Sequence, residues 1–154
     1  MSYINVSSPT SRAILQISTA TIASTSSGYV VPALQDITVS NANGIFNWTQ
    51  LDSTSQYSVT TPATNQISGN IVVDDSVFFD DDVVDGIPGI FQLSNDKTLI
   101  YFRVYFNGTG VGARFLEGQG YLSNLAPTVS PTAPVWVTPI QVAVNGDLTS
   151  DVVA

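Results

Sequence analysis

The chain has 154 residues, no cysteine, no histidine, and four cationic side chains against twelve acidic ones, which gives a net charge of −8. Histidine is the commonest acid–base group and metal ligand near neutral pH, and cysteine is the most readily activated nucleophile, so their absence argues against most enzymes. Four cations cannot neutralise the phosphates along a nucleic acid. We therefore expect no enzyme, no cofactor and no nucleic-acid binder.

The composition favours a single all-β domain over residues 1–154. Ser, Thr, Val and Ile are abundant, and 44% of the residues are hydrophobic, which suits strands packed around a core. No apolar run approaches the ~18 residues of a membrane span, so we expect no membrane anchor. Met1–Asn5 is neither basic nor hydrophobic, so we also expect no secretory signal and synthesis in the cytoplasm.

Alternating and β-branched segments predict most of the strands, after a polar N-terminal arm at residues 1–10. An Asn-Gly pair at Asn43 and Gly44 predicts a tight hairpin turn. The polar residues 50–66 predict a long loop, with Leu51, Tyr57 and Val59 as its only apolar anchors. The predicted strands cover residues 12–22, 33–39, 45–48, 67–73, 97–106, 114–125 and 135–144, the last two separated by a proline-rich loop at 127–134.

Half of all acidic residues fall in one short segment, the acidic cluster, formed by Asp74, Asp75, Asp80, Asp81, Asp82 and Asp85. Calcium binds carboxylate oxygens, but the glutamate that closes an EF-hand loop is missing after Gly86. A solvated acidic surface therefore explains the cluster better than a metal site. Gly86, Pro88 and Gly89 allow at most one short helix near 76–93.

Residues 97–106 form the strongest predicted strand, and its two faces differ. One face carries Ile100, Phe102 and Val104 and is predicted to enter the core. The other carries Tyr101, Arg103 and Tyr105, residue types that interfaces favour, and is a candidate subunit interface.

Other motifs favour ordinary packing over chemistry. Trp48 and Trp136 are expected as core anchors, because large aromatic side chains in small β domains are usually buried. A sugar-binding platform would instead need exposed aromatic side chains in a row. Glu117 is the only glutamate, and no second acid stands out as the partner that a glycosidase needs.

Three fragments in the second half resemble siphophage major tail proteins, which are tail tube subunits. Glu117–Leu125 (EGQGYLSNL) is similar to their strand with the pattern Gly-x-Gly-aromatic-x-Ser/Thr-x-Leu. Ile140–Thr149, after Val135–Thr138, is similar to their last strand, which ends in Gly-Asp/Glu-Leu/Ile-Thr. Gln66–Asp75 is similar to the strand that leads to the helix of this family, a helix that the glycines and proline noted above would disrupt here.

The resemblance implies an antiparallel β-sandwich or partly open barrel that forms hexameric rings stacked into a hollow tube for the genome. It also implies that the extended hairpin or loop at 40–65 reaches the neighbouring ring, with Asn43, Gly44, Trp48, Leu51 and Tyr57 as candidate contacts. The N-terminal arm and the tail at 150–154 are further candidates for contacts between rings. The implied partners are other copies and other tail proteins at the tube ends, with DNA passing through without specific binding.

The implied location is the virion tail, assembled in the host bacterial cytoplasm. A wall poor in Lys and Arg and rich in carboxylates would repel phosphate, which suits a DNA conduit. Two alternatives stay open: another phage structural β-sandwich protein (head decoration, tail terminator or baseplate), and an adhesin-like carbohydrate-binding β domain.

Overall fold

A computed structural model describes residue 4, residues 12–52 and residues 54–154. Antiparallel strands hold 54% of the described residues and helices 8%, which confirms the all-β class. The described residues form β1 (Ile14–Ser18), β2 (Tyr29–Val30), β3 (Leu34–Thr49), β4 (Gln56–Val72), β5 (Leu99–Tyr105), β6 (Arg114–Ser123), β7 (Thr128–Ser130), β8 (Ala133–Val144) and β9 (Thr149–Val152), together with a π-helix (Asp75–Phe79) and α1 (Ile90–Asn95).

All the strands belong to one open sheet in the order β2-β1-β5-β6-β8-β4-β3, with β7 added to β8 and β9 to β6. The two end strands of this order, β2 and β3, are consecutive in the chain and are joined by residues 31–33. A link this short keeps the ends of the sheet close together, so the sheet must curl. The result is a partly open barrel in which β1 and β5 face β4 and β8 around one core.

Alternation along the strands builds the core, as the sequence predicted. Ile100, Phe102 and Val104 of β5 are fully buried, and Leu15 and Ile17 of β1 lie beside them. Strands β4 and β8 contribute Ile67, Ile71, Ile140 and Val142, and the helical segment contributes Phe78, Ile90 and Leu93. Burial of side chains of this size provides most of the stability of such a domain.

The predicted turn at Asn43 and Gly44 is wrong. Strand β3 continues through both residues and pairs with β4 from Leu34 opposite Ile71 to Thr49 opposite Gln56. Gly44 lies opposite Thr61, whose Oγ1 occupies the space that a Cβ at residue 44 would need, so glycine serves close packing here. The chain reverses instead between Thr49 and Gln56.

The predicted loop at residues 50–66 is also wrong over most of its length, because β4 begins at Gln56. Its polar Thr and Ser side chains belong to an exposed two-stranded ribbon. Neither face of this ribbon is buried, so its sequence does not alternate between apolar and polar residues. Pro62 is tolerated because the register shifts by one residue between Thr61 and Thr64, a bulge where a backbone N–H is not needed.

Two short helical segments, instead of one, occupy the region predicted for a helix. Gly86, Pro88 and Gly89 separate the π-helix from α1, as their helix-breaking character suggests. Gly89 precedes α1 and lies against the backbone of the π-helix. A Cβ at residue 89 would be 2.6 Å from the carbonyl oxygen of Val77, so only glycine allows the two segments to approach this closely.

Two further predictions need correction. The predicted loop at 127–134 contains β7, which forms a small hairpin with β8. The predicted tail at 150–154 is mostly part of β9, which pairs with the first half of β6.

Apart from residue 4, the predicted arm at 1–10 lies outside the described residues. Among those described, no helix is long and apolar enough to cross a membrane.

Candidate interaction surfaces

Charge is divided sharply between two parts of the sheet. Asp52 is the one charged residue among residues 37–73 and 118–146, which we call the neutral wing. The wing is continuous in space, because β4 pairs with β3 on one side and with β8 on the other. All other charged residues belong to the remainder, which we call the charged half.

Strand β6 marks the boundary between the two parts. Its first half carries Arg114 and Glu117 and pairs with β9, whereas its second half, from Gly120 to Ser123, pairs with β8 of the neutral wing. The sheet therefore changes from charged to uncharged along a single strand. A partner of the same sign of charge can approach the wing with the least repulsion.

The distal part of the β3–β4 hairpin carries an aromatic face. Phe46 pairs across the ribbon with Val59, and Trp48 pairs with Tyr57, so all four side chains lie on one side. The Trp48 ring stacks on Phe46 at 6.0 Å and on Tyr57 at 5.8 Å between ring centroids. All four are exposed, Phe46 at 58%. Exposed aromatic clusters of this kind mark interaction sites.

The hairpin extends beyond the body of the domain. From Ser40 to Thr64 every described residue is exposed except Gly44, which is half-buried. The root is fixed by Asn65, which is buried and donates from Nδ2 to the carbonyl oxygen of Gly146 at 3.2 Å. In the described part of the chain the outer edge of β3 has no partner strand, and such an edge invites pairing with another chain.

A second apolar patch lies at the other end of the neutral wing, on the β7–β8 hairpin. We call it the Trp136 patch; it consists of Val129 and Trp136, both exposed, with Trp136 at 52%. Trp136 continues the inward face of β8 past the end of the core, because the buried Thr138 and Ile140 follow it at alternate positions. The expectation that Trp48 and Trp136 are core anchors is therefore wrong.

The predicted interface on β5 divides into one surface residue and two internal ones. Tyr101 lines a surface cleft of about 340 Å³ with Glu117 and Asp147. Arg103 is largely enclosed: Nε bonds to Glu117 at 2.9 Å, Nη2 donates to the carbonyl oxygen of Ile22 at 2.8 Å, and the guanidinium lies over Phe115. Arg103 thus fastens the β1–β2 connection to β5 and β6.

Tyr105 cannot contact a subunit in this fold, because its side chain is fully buried. Its hydroxyl donates to Oε1 of the buried Gln16 at 2.7 Å, and Gln16 in turn donates to the carbonyl oxygens of Ser24 and Ser27. The sequence placed Tyr105 on the outer face of β5 correctly. It could not show that the β1–β2 connection folds over that face.

The structure places every residue of the acidic cluster at the surface, on the segment that holds the π-helix. Three of them organise turns: Oδ1 of Asp74 accepts from Ser76 and Val77, Asp80 accepts from Asp82, and Asp82 accepts from Gly86. The hydrogen bond from the Ser76 hydroxyl, followed by that from the Val77 amide, lowers the pKa of Asp74. Among the described residues, no three acidic groups converge as a metal site would require.

Sequence reasoning identified Trp48, Leu51 and Tyr57 as candidate contacts, and all three are exposed on or near the hairpin tip. It missed Phe46 and Val59 as members of the same face, because the wrong turn at Gly44 hid the pairing of the two strands. It also missed an exposed aromatic pair beside the acidic cluster, Phe79 and Phe91, with ring centroids 6.1 Å apart. Their spacing in the sequence gives no signal of this contact.

The fold is similar to that of chains from phage-like particles. A chain from the virion of a native gene transfer agent particle is 17% identical, with 80% of this chain and 88% of that chain covered and a TM-score of 0.56. A chain from the tail of an empty gene transfer agent particle, with C6 symmetry, is 16% identical, with 88% and 93% covered and a TM-score of 0.57. The resemblance to phage tail proteins is thus confirmed at the level of the fold.

No protein-family model matches the sequence, and no curated protein matches it significantly.

Proposed function

We propose that this chain is a virion structural protein, the subunit of a tail tube that assembles into hexameric rings stacked as a hollow conduit for genome DNA. The observation that carries the proposal is the β3–β4 hairpin, an exposed ribbon with an aromatic face and an unpaired edge. It occurs in a fold shared with a chain of a C6-symmetric tail. Its partners are other copies of itself and other tail proteins at the tube ends, and its place is the tail of a virion assembled in the host cytoplasm.

The hairpin suits assembly because its exposed groups are costly to leave in water. An apolar face gains free energy when another copy covers it, at about 25 cal/mol for each Å² removed from water. An unpaired strand edge can add a strand from a neighbour and satisfy its backbone groups. A head-to-tail contact of this kind closes into a ring when the rotation between copies permits it.

Charge supports the conduit. Of the four cations, Arg103 is paired with Glu117 and largely enclosed, so the surface presents far more carboxylate than ammonium or guanidinium. Duplex DNA is held by proteins through cations that neutralise its phosphates. A tube made of such subunits repels the duplex and lets it slide.

Electron microscopy of the purified protein tests the proposal. We expect rings of six subunits and hollow tubes, and we expect duplex DNA added at low salt to remain in the supernatant when the tubes are sedimented. A strictly monomeric protein at high concentration in several salts would refute the self-assembly. Co-sedimentation of DNA along the tubes would refute the repelling conduit.

A variant without the distal hairpin tests the observation that carries the proposal. Residues 42–64 are replaced by an Asn-Gly turn, which joins Asn41 to Asn65 where the two residues already pair. Asn65 and the buried residues of β4 stay in place, so we expect a circular dichroism spectrum that is still typical of β structure and a melting temperature within a few degrees. We expect complete loss of tubes. Tubes of ordinary length from this variant would contradict the role of the hairpin.

The aromatic row favours one other function, carbohydrate binding, because sugars stack on exposed aromatic rings in a row. Phe46, Trp48 and Tyr57 form such a row. This alternative predicts a monomer whose Trp fluorescence changes on titration with a sugar of a glycan panel. Tube formation without any sugar response supports the assembly function instead, and binding to phage heads without tube formation would indicate a decoration protein.

A further inference from the structure

We infer that the aromatic face of one copy (Phe46, Trp48, Tyr57 and Val59) docks against the Trp136 patch of the next copy (Val129 and Trp136). The inference rests on the proposed self-assembly and names the two surfaces that meet. It follows from where the two patches lie in the sheet, from the distribution of charge, and from the exposure of both patches in a single copy.

The two patches lie at opposite ends of β4. Tyr57 stands next to the first residue of this strand, and Val137, the neighbour of Trp136, pairs with its last residue, Val72. At about 3.3 Å per residue, the fifteen-residue separation from Tyr57 to Val72 corresponds to ~50 Å along the strand. One copy therefore cannot bring its own patches together, whereas a second copy displaced along the strand direction can cover one with the other.

The charge distribution favours a second copy as the occupant of each patch. Every copy carries a charge of −8, so two copies repel through most of their surfaces. Both patches lie in segments without any charged residue other than Asp52, which allows contact with little electrostatic cost. A cationic partner protein would be attracted to the acidic cluster, which lies outside the neutral wing.

A contact between the aromatic face of one copy and the Trp136 patch of another also explains why each copy exposes two apolar patches. If two aromatic faces met each other in a two-fold arrangement, the Trp136 patch would stay exposed and the assembly would stop at a dimer. A contact between the hairpin tip and the far end of the wing uses both patches in every copy and repeats. Such a contact produces a closed ring or a growing stack.

The absence of cysteine allows a direct test by crosslinking. Thr61→Cys places a thiol on the hairpin beside the aromatic face, and Ser130→Cys places one beside the Trp136 patch. One variant carries an affinity tag, so that crosslinked pairs can be distinguished by size. The two are mixed, allowed to assemble, and treated with a short bismaleimide. Ser26→Cys, in the exposed β1–β2 connection, is the matched control.

We expect the mixture to give crosslinked dimers of one tagged and one untagged subunit. Their yield should be at least about tenfold higher than the yield of crosslinked dimers from either variant alone or from a mixture with the control. Crosslinking of Thr61→Cys to itself would overturn the inference in favour of a two-fold contact. Tubes in the microscope without the mixed crosslink would also overturn it while leaving the proposed function standing. Failure of the parent protein to assemble at all would refute both.

Discussion

The apolar side chains of β1 and β5, in the charged half, and those of the distal neutral wing, from Ser40 to Thr64, lie in opposite environments. In the charged half, β1 and β5 bury Leu15, Ile17 and Phe102 in the core, and carboxylates on the surrounding loops keep the surface hydrated. In the distal wing, Phe46 and Trp48 are exposed on a ribbon in which Asp52 is the single charged residue. The first arrangement stabilises a single copy. In the proposed assembly the second stabilises contacts between copies, because an uncharged apolar surface gains free energy when it is covered and does not repel a like-charged neighbour.

In the proposed function, the difference reconciles assembly with a net charge of −8 on every copy. Exposed carboxylates such as those of the acidic cluster keep monomers apart until the uncharged surfaces meet. The charged surface and the uncharged surface are separated along the sheet, with β6 as the boundary between them. Substitutions of core residues, which come from both parts, should therefore affect stability, and substitutions in the exposed distal wing should affect assembly.

The largest effect should come from a charge placed in the neutral wing. Val59→Glu adds a carboxylate to the aromatic face, whereas Val111→Glu adds the same group to the charged half, and both valines are exposed (50% and 86%). Burying an unpaired carboxylate in an interface costs more than ~1.4 kcal/mol, which is a factor of ten in affinity. We expect Val59→Glu to raise the protein concentration needed for tubes at least about tenfold and Val111→Glu to change it less than about twofold.

Sedimentation of assembled protein across a concentration series measures this threshold, with melting temperatures to show that both variants fold. Equal thresholds for the two variants would show that the neutral wing has no special part in assembly. The comparison of halves would then be wrong, even if the protein forms tubes.

The sequence predicted the charged half much better than the neutral wing. In β5, purely apolar residues at alternate positions mark the core face, and Ile100, Phe102 and Val104 lie in the core as expected. That signal exists because one face of the strand packs against the core. The fold class followed from several such segments and from the scarcity of helix-favouring residues.

The ribbon could not be predicted in the same way, because neither of its faces enters the core of a single copy. Because neither face is buried, Gln56–Thr64 is rich in Ser and Thr and has few apolar residues, a composition typical of loops. The Asn-Gly pair at Asn43 and Gly44 was the strongest local signal of a turn. Strand pairing overrode that signal, since β3 runs straight through Gly44 and pairs with β4 along its whole length, from Leu34 opposite Ile71 to Thr49 opposite Gln56. For the same reason the sequence alone does not indicate the aromatic face, which depends on the pairing of Phe46 with Val59.

A moderate effect on stability should separate two tyrosines of β5. Tyr105→Phe removes the donor to the buried Oε1 of Gln16, which then lacks a partner, so we expect the free energy of unfolding to fall by about 1–3 kcal/mol. Tyr101→Phe, at the half-buried cleft position, should change it by less than about 0.5 kcal/mol. Denaturant unfolding of the disassembled protein measures both values.

Assembly of the same two variants adds a second readout. Because Tyr105 lies wholly inside the charged half, tubes formed at low temperature by Tyr105→Phe should match those of the parent in diameter and length. A variant that stays as stable as the parent but fails to assemble would indicate that Tyr105 reaches an interface, contrary to its burial.

The smallest effect should come from Asp74, whose carboxylate caps the π-helix. The hydrogen bonds from Ser76 and Val77 lower the pKa of Asp74, so the folded state favours the ionised form. The resulting stabilisation is fully present above the ordinary carboxyl pKa and is lost as the pH falls through the lowered one. We expect Asp74→Ala to lower the melting temperature slightly at pH 7, with a difference from the parent that shrinks toward zero as the solution is acidified below the ordinary pKa.

Asp74→Asn is the matched control, because its side-chain oxygen still accepts from the Ser76 and Val77 amides but does not titrate. Its difference from the parent should be smaller at pH 7 than that of Asp74→Ala. The other carboxylates titrate in all three proteins, so only the differences between melting curves carry the effect of this site. A deficit of Asp74→Ala that stayed constant down to the acid transition would show that the cap acts through its shape and not through its charge. Tube formation at neutral pH should be the same in all three proteins, since the π-helix lies outside the neutral wing.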